Sequence, residues 1–198
     1  MFAYLKGQIT YKTPTYIYVE CQGVGYHVNI SLFTYSKLEN LDSVKILTYL
    51  HVKEDEQSLY GFFDNEERVL FILLLSVSGI GVNTARVILS YMTPEEVKTA
   101  IIQENAFALG KVKGIGPKTA KRIILDLKEK VMKEAGDIQM PVFQDGISPS
   151  VKSEAMSALL ALGFPKPAVD KHIKAIPDAE AENLQVEELI KRVLKQMN

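Results

Sequence analysis

Between residues 16 and 21 the chain alternates, with Tyr16, Tyr18 and Glu20 set against Ile17, Val19 and Cys21. A period of two places one set inward and one outward, which is the pattern of a half-buried strand. The flanking stretches 2–11 and 24–30 are also rich in Tyr, Ile and Val, and Thr13-Pro14 and Gln22-Gly23 break them apart. A short helix fits 31–40, and two more strands fit 43–53 and 56–63. Five strands with one short helix between the third and fourth follow the order of a small Greek-key barrel, the OB-fold.

From residue 64 the period changes to helical. Asp64 with Glu67 forms a capping box ahead of an apolar run from Val69 to Leu75. A helix that is apolar all round must be covered on every side, by its own domain or by another subunit. Thr93-Pro94-Glu95-Glu96 is a second box, with proline at the first helical position. Asn105 caps a short helix, and a long one fits 117–135 with Ile123, Ile124 and Leu127 on its inner side. Residues 137–149 hold prolines and glycine without a sustained period, and read as a flexible linker. The tail reads as three short helices, over 151–162, near 167–175 and after Asn183. Its first helix carries two apolar stripes, Val151, Ala155, Leu159 and Leu162 on one and Met156 and Leu160 on the other. A bundle this short is marginally stable, and one stripe is available to a partner protein. The expected architecture is α+β and multidomain: an OB-fold barrel over 1–63, an all-α domain over 64–136, the linker 137–149 and a three-helix bundle over 150–198.

The all-α domain contains a repeat. LLSVSGIGVNTARVIL at 74–89 returns as LGKVKGIGPKTAKRII at 109–124, at a fixed offset of 35 residues. Val77/Val112, Gly79/Gly114, Ile80/Ile115, Gly81/Gly116, Thr84/Thr119, Ala85/Ala120 and Ile88/Ile123 are shared. In each copy a helix ends, Gly-Ile-Gly makes a turn, and a second helix starts at once. The isoleucine pins the turn to the core. The new helix presents unpaired N–H groups and a positive dipole end, which together bind anions. One such end is worth only ~0.3–1 kcal/mol when exposed, but two held rigidly grip two phosphates of one duplex. This is a tandem helix-hairpin-helix. Backbone donors carry no base code, so binding is expected to be independent of sequence.

Charge sharpens the picture. The formal net charge is −1, yet eight basic residues stand against two acids from Lys111 to Lys133, around the second turn. That is the footprint of a polyanion site. Lys118, Lys121 and Arg122 lie in the first turns of a helix, where the dipole disfavours cations and a bound phosphate offsets the cost. Elsewhere Lys53-Glu54-Asp55-Glu56 puts an acidic tip on the last barrel hairpin. A carboxylate ~6 Å from a phosphate costs only ~0.7 kcal/mol in bulk water, so one tip decides little; several meeting at a point keep DNA strands apart.

Other chemistries are poorly supported. Cys21 is the only cysteine and His27, His51 and His172 are scattered, so neither a metal site nor an iron–sulfur cluster is expected, and no cofactor. No G-x-x-x-x-G-K-[ST] loop occurs. A signal-peptide pattern is absent and the apolar run is too short to span a bilayer, so a cytoplasmic protein without membrane contact is expected.

Taken in order, GQI…GVGYHV, KEDEQSLYGF, the helix running into SGIG, KVKGIGPKTAKRII and ALLALGF resemble the RuvA family, the junction-recognition subunits of bacterial branch-migration complexes. The resemblance covers the whole chain. It implies a non-catalytic homotetramer, or two tetramers forming an octamer on DNA, that holds four-way (Holliday) junctions open. It further implies that the tail docks onto the ring ATPase RuvB, which moves the arms, and that the nuclease RuvC later cuts the junction. Carried onto this chain, the phosphate-binding set is Gly79, Ile80, Gly81 and Asn83 in the first hairpin. In the second it is Gly114, Ile115, Gly116, Lys118 and Thr119. The acidic pin is Glu54 and Asp55, with Glu56 as a third acid of open orientation. Leu159, Leu162 and Phe164 face the motor. Val82-Asn83 stands where Pro-Lys is frequent in the family, so the first hairpin is expected to bind more weakly. Two other readings compete: a helix-hairpin-helix repair nuclease or glycosylase, and a general duplex binder.

Overall fold

The computed structural model describes residues 2–137, 150–177, 181 and 184–197, with the side chains of residues 133–137 outside that set. Strands β1 (Tyr4–Lys12), β2 (Tyr16–Cys21), β3 (Val24–Asn29), β4 (Ser43–Val52) and β5 (Gln57–Phe62) close a barrel in the order β1-β2-β3-β5-β4. The alternation at 16–21 is realised as expected. Ile17 and Val19 are fully buried and join Leu5, Val28, Ile30, Leu38, Val44 and Ile46 in the barrel core. Helix α1 (Leu32–Lys37) lies between β3 and β4, capped by Ser31. The one parallel pairing, Val28 with Leu59 and Asn29 with Tyr60, closes the barrel.

Five helices follow: α2 (Asn65–Leu75), α3 (Val82–Tyr91), α4 (Pro94–Ile102), α5 (Ala106–Gly110) and α6 (Pro117–Asp137). They pack onto the barrel, and residues 1–136 make one compact unit. The reason is visible at Phe71 of α2, whose ring lies 4.9–5.6 Å from those of Tyr49, Tyr60 and Phe62 on β4 and β5. Leu70 and Leu74 are buried beside it, while Ile72 on the opposite side is 44% exposed. So the apolar helix is only partly covered by its own chain.

The box at Thr93 forms in both directions, and Asn105 caps α5. The box at Asp64 forms only in one. Asp64 accepts from the Glu67 N–H at 2.8 Å, but the Glu67 carboxylate turns away from the helix end. It accepts instead from the hydroxyls of Ser31 and Thr34 at the other side of the barrel–helix junction.

The second compact unit begins at Asp137. It contains α7 (Val151–Ala161), α8 (Lys166–Lys174) and α9 (Val186–Met197) around Ala155, Leu159, Val169, Ile173, Leu189 and Val193. Apart from Asp137, the expected linker lies outside the described residues.

Candidate nucleic-acid interface

The two repeats fold into superposable corners. In the first, the Val77 N–H donates to Leu74 O, the Ile80 N–H to Val77 O, and the Ala85 N–H to Gly81 O. In the second, Val112 donates to Leu109, Ile115 to Val112 and Ala120 to Gly116. Gly79 and Gly114 adopt φ of +89° and +92°, the left-handed region that side chains disfavour. Ile80 and Ile115 are buried, as are Val77, Val112, Ala85 and Ala120. The two isoleucines thus contribute anchoring side chains, and only their backbone can meet a ligand.

Gly81 and Gly116 tell something different. Gly81 has φ −95° and ψ 173°, which any residue adopts. A Cβ at either position, or at Gly79 or Gly114, would meet nothing within 4 Å. Nothing inside the chain demands a glycine at 81 or 116. The open face leads to the starts of α3 and α6. No side chain caps α3, so its first N–H groups have no acceptor from an N-cap side chain.

Asn83 and Lys118 occupy equivalent exposed places one residue into these helices, and Thr84 and Thr119 are half-buried behind them. Among the described residues, Lys113, Lys118 and Lys121 make no ion pair, whereas Lys128 pairs with Glu104 and Lys111 lies 4.9 Å from the centre of the Phe107 ring. The Lys133 side chain is outside the described residues.

Three ties hold this surface in shape. Arg122 Nη1 reaches Ser78 O at 3.5 Å and Lys130 Nζ reaches Ser76 Oγ at 3.2 Å, so α6 of the second hairpin braces the turn of the first. Arg86 donates to Asn29 Oδ1 at 3.0 Å and Thr15 O at 3.3 Å and fastens α3 to the barrel. The third tie is Glu67. It is fully buried, and loss of water pushes its carboxyl up to about 7, against the opposing pull of the Ser31 and Thr34 hydroxyls. Both hydroxyls are committed, because Ser31 Oγ also accepts the Thr34 N–H and Thr34 Oγ1 the Phe63 N–H, each at 3.0 Å. Sequence alone carries no signal for the partners of Arg122 or Arg86. Nor does it mark Glu67 as buried, since that residue stands between Glu66 and Arg68 ahead of the apolar run.

The acidic tip joins β4 to β5 and is closed by the Lys53 N–H on Glu56 O at 2.8 Å. Glu54, Asp55 and Glu56 are exposed. Glu56 accepts from Ser58 Oγ at 2.5 Å, which turns it back along its own strand and leaves Glu54 and Asp55 as the outward acids. Among the described residues no group of three or more His, Cys, Asp or Glu converges as metal ligands do, and no helix is long and apolar enough to cross a membrane.

In the C-terminal unit the three residues expected to face a motor separate. Leu159 is fully buried, Phe164 packs partly buried against the same core, and Leu162 is 65% exposed. Leu159 is thus a core residue, because α7 points it between α8 and α9. The second stripe divides likewise, with Met156 packed against the core and Leu160 at the surface.

Comparison with known proteins bears on the whole chain. Residues 1–61 match the RuvA N-terminal domain, 71–129 the SAM-like helix-hairpin-helix tandem, and 150–198 the RuvA C-terminal domain. A protein of Christiangramia forsetii named Holliday junction branch migration complex subunit RuvA is 46% identical over all of both chains. Proteins of the same name from Cytophaga hutchinsonii and Bacteroides thetaiotaomicron are 44% and 42% identical, the former over 98% of this chain and 99% of its own length, the latter over all of both. With its barrel, its paired glycine corners and its tail each matched in the same order, this chain belongs to the RuvA family.

Proposed function

We propose that this chain is the non-catalytic, junction-binding subunit of a branch-migration complex. It binds four-way DNA without regard to sequence and recruits a RuvB-type ring ATPase that moves the arms. The observation that carries this reading is the pair of open glycine corners, braced to each other, in which nothing inside the chain requires the bareness of Gly81 and Gly116. Main-chain N–H groups of Gly79–Asn83 and Gly114–Thr119 take phosphates on two rails of one arm, with Lys118 adding charge at the second corner.

A four-fold assembly places one such chain on each arm. The uncovered side of α2, with Ile72, offers apolar area for the contact between subunits. At the centre, Glu54 and Asp55 of each copy repel the phosphates of the crossing strands. Leu160 and Leu162 of the C-terminal unit present apolar surface to the motor, and a RuvC-type nuclease acts on the opened junction afterwards. The cytoplasm is the compartment that fits these partners.

The test is a gel shift comparing an immobile four-way junction with its linear arms, in magnesium and without it. The junction binds far more tightly and stays uncut. Equal affinity would reduce the chain to a general duplex binder, and cleavage by purified protein alone would overturn the scaffold role. In the same assay, Glu54→Gln with Asp55→Asn preserves or tightens binding while changing strand separation, read from 2-aminopurine at the crossover. A large loss of affinity would contradict the pin.

A further inference from the structure

The outer face of the barrel carries a feature that the hairpins and the tip do not use. Tyr16 and Tyr18 point outward from β2, since Ile17 and Val19 between and beyond them are fully buried. Tyr18 stands opposite Tyr11 on β1 and His27 on β3. The four rings form one patch. Centroids are 5.3 Å apart for Tyr11–Tyr18, 5.6 Å for Tyr16–Tyr18 and 4.7 Å for Tyr16–His27, with planes tilted by 33–39°. Tyr11 and Tyr18 remain 50% and 40% exposed. Cross-strand aromatic pairs stabilise a sheet, but that role does not require the rings to remain so open to solvent.

The surroundings say what approaches them. In five-stranded barrels of this order, oligonucleotides bind on the face of strands 2 and 3, between the loops joining strands 1–2 and 4–5. Here the 4–5 loop is the acidic tip, and its strand β5 pairs directly with β3 beyond His27. The 1–2 loop is gripped by Arg86 of α3, through Thr15 O and through Asn29, the residue paired with Tyr16. The patch is therefore continuous with the first hairpin at one border and neighbours the tip's strand at another. Flat rings in register offer successive stacking surfaces that accept any base. Glu20, next outward on β2 and exposed, repels phosphate at the far end and limits the platform to a few nucleotides.

We propose that Tyr11, Tyr16, Tyr18 and His27 form a second nucleic-acid site, a stacking platform for a short run of unpaired DNA bases. The junction reading supplies the source of those bases, namely strands parted at the crossover, and the proposal rests on that reading for this alone. The platform holds parted bases out of the duplex while the arms are drawn through.

The probe is oligothymidylate, titrated against the full chain. Nine tyrosines and no tryptophan make intrinsic tyrosine emission the readout. Oligothymidylate quenches that emission, and an abasic strand of equal length, which has phosphates and no bases, does not. Tyr18→Ala weakens oligothymidylate binding roughly 5- to 150-fold, the range for one lost base–ring stack. Tyr18→Phe, which keeps the ring, restores it. Binding of a linear, fully paired duplex, which offers no parted bases, is unchanged in both variants. Equal oligothymidylate affinity in the parent and in Tyr16→Ala/Tyr18→Ala would overturn the platform. So would a fall in subunit count by light scattering in that variant, which would assign the rings to a contact between copies. If the parent chain binds oligothymidylate through these rings but shows no preference for four-way DNA, the junction reading fails and the platform stands.

Discussion

Gly79 and Gly81 are two residues apart and do different work. At Gly79 the backbone itself needs glycine, with φ +89°. Gly79→Ala is expected to cost ~1–2 kcal/mol of stability, the ordinary penalty for a side chain in the left-handed region. At Gly81 the dihedrals suit alanine. Gly81→Ala leaves stability within about 1 kcal/mol, because the restricted unfolded chain offsets a poorer N-cap. It still weakens junction binding by about tenfold, since its methyl stands where phosphate must reach the amide. Urea melts and gel shifts on the pair separate the two roles. A second residue prediction concerns Glu67. Its folded carboxyl sits near 7 against an ordinary value of 4.5, so between those values the folded state binds more protons than the unfolded one. Stability is therefore fully present below about pH 4.5 and declines as pH rises to about 7, by on the order of 3 kcal/mol. Glu67→Gln flattens that slope in pH-dependent melts. The spacing from Asp64 implied the cap on its N–H, but the destination of its carboxylate depends on Ser31 and Thr34, more than thirty residues earlier, and local spacing cannot encode that.

At the scale of elements, what was legible is what is local. Hairpin corners, caps at Thr93 and Asn105, and strand alternation are written in neighbouring residues, and they formed with ends shifted by a few residues. The order of five strands was also readable. The parallel closure of β3 on β5 was not, nor was the fusion of barrel and helices into one unit, because both depend on contacts far apart in sequence. The two corners also differ in a way sequence did expose. Their backbones match, yet Asn83 replaces a cation at the place Lys118 holds in the second. Asn83→Lys is expected to tighten junction binding at low salt. It also steepens the slope of log affinity against log salt by about 0.9, the value for one added phosphate contact. Titrations at several salt concentrations measure both.

For the whole molecule, two separately packed units imply two separable jobs. Residues 1–136 contain the barrel core and the helical core, and the C-terminal unit has its own around Leu159, Ile173 and Val193. A fragment of residues 1–136 is expected to fold alone and to bind four-way DNA with the affinity of the full chain, while losing stimulation of the motor. Gel shifts and ATPase-coupled branch migration on the same preparation check the two halves.

The strut from Arg122 to Ser78 has one further implication. Together with the Lys130–Ser76 contact it holds one corner against the other and makes the pair a caliper with a preferred setting. Such a gauge measures the width between rails rather than the letters on them. An RNA–DNA hybrid, whose wide and shallow minor groove spaces its rails differently, would seat one jaw at a time, and the chain would distinguish recombination intermediates from transcription products without reading a base.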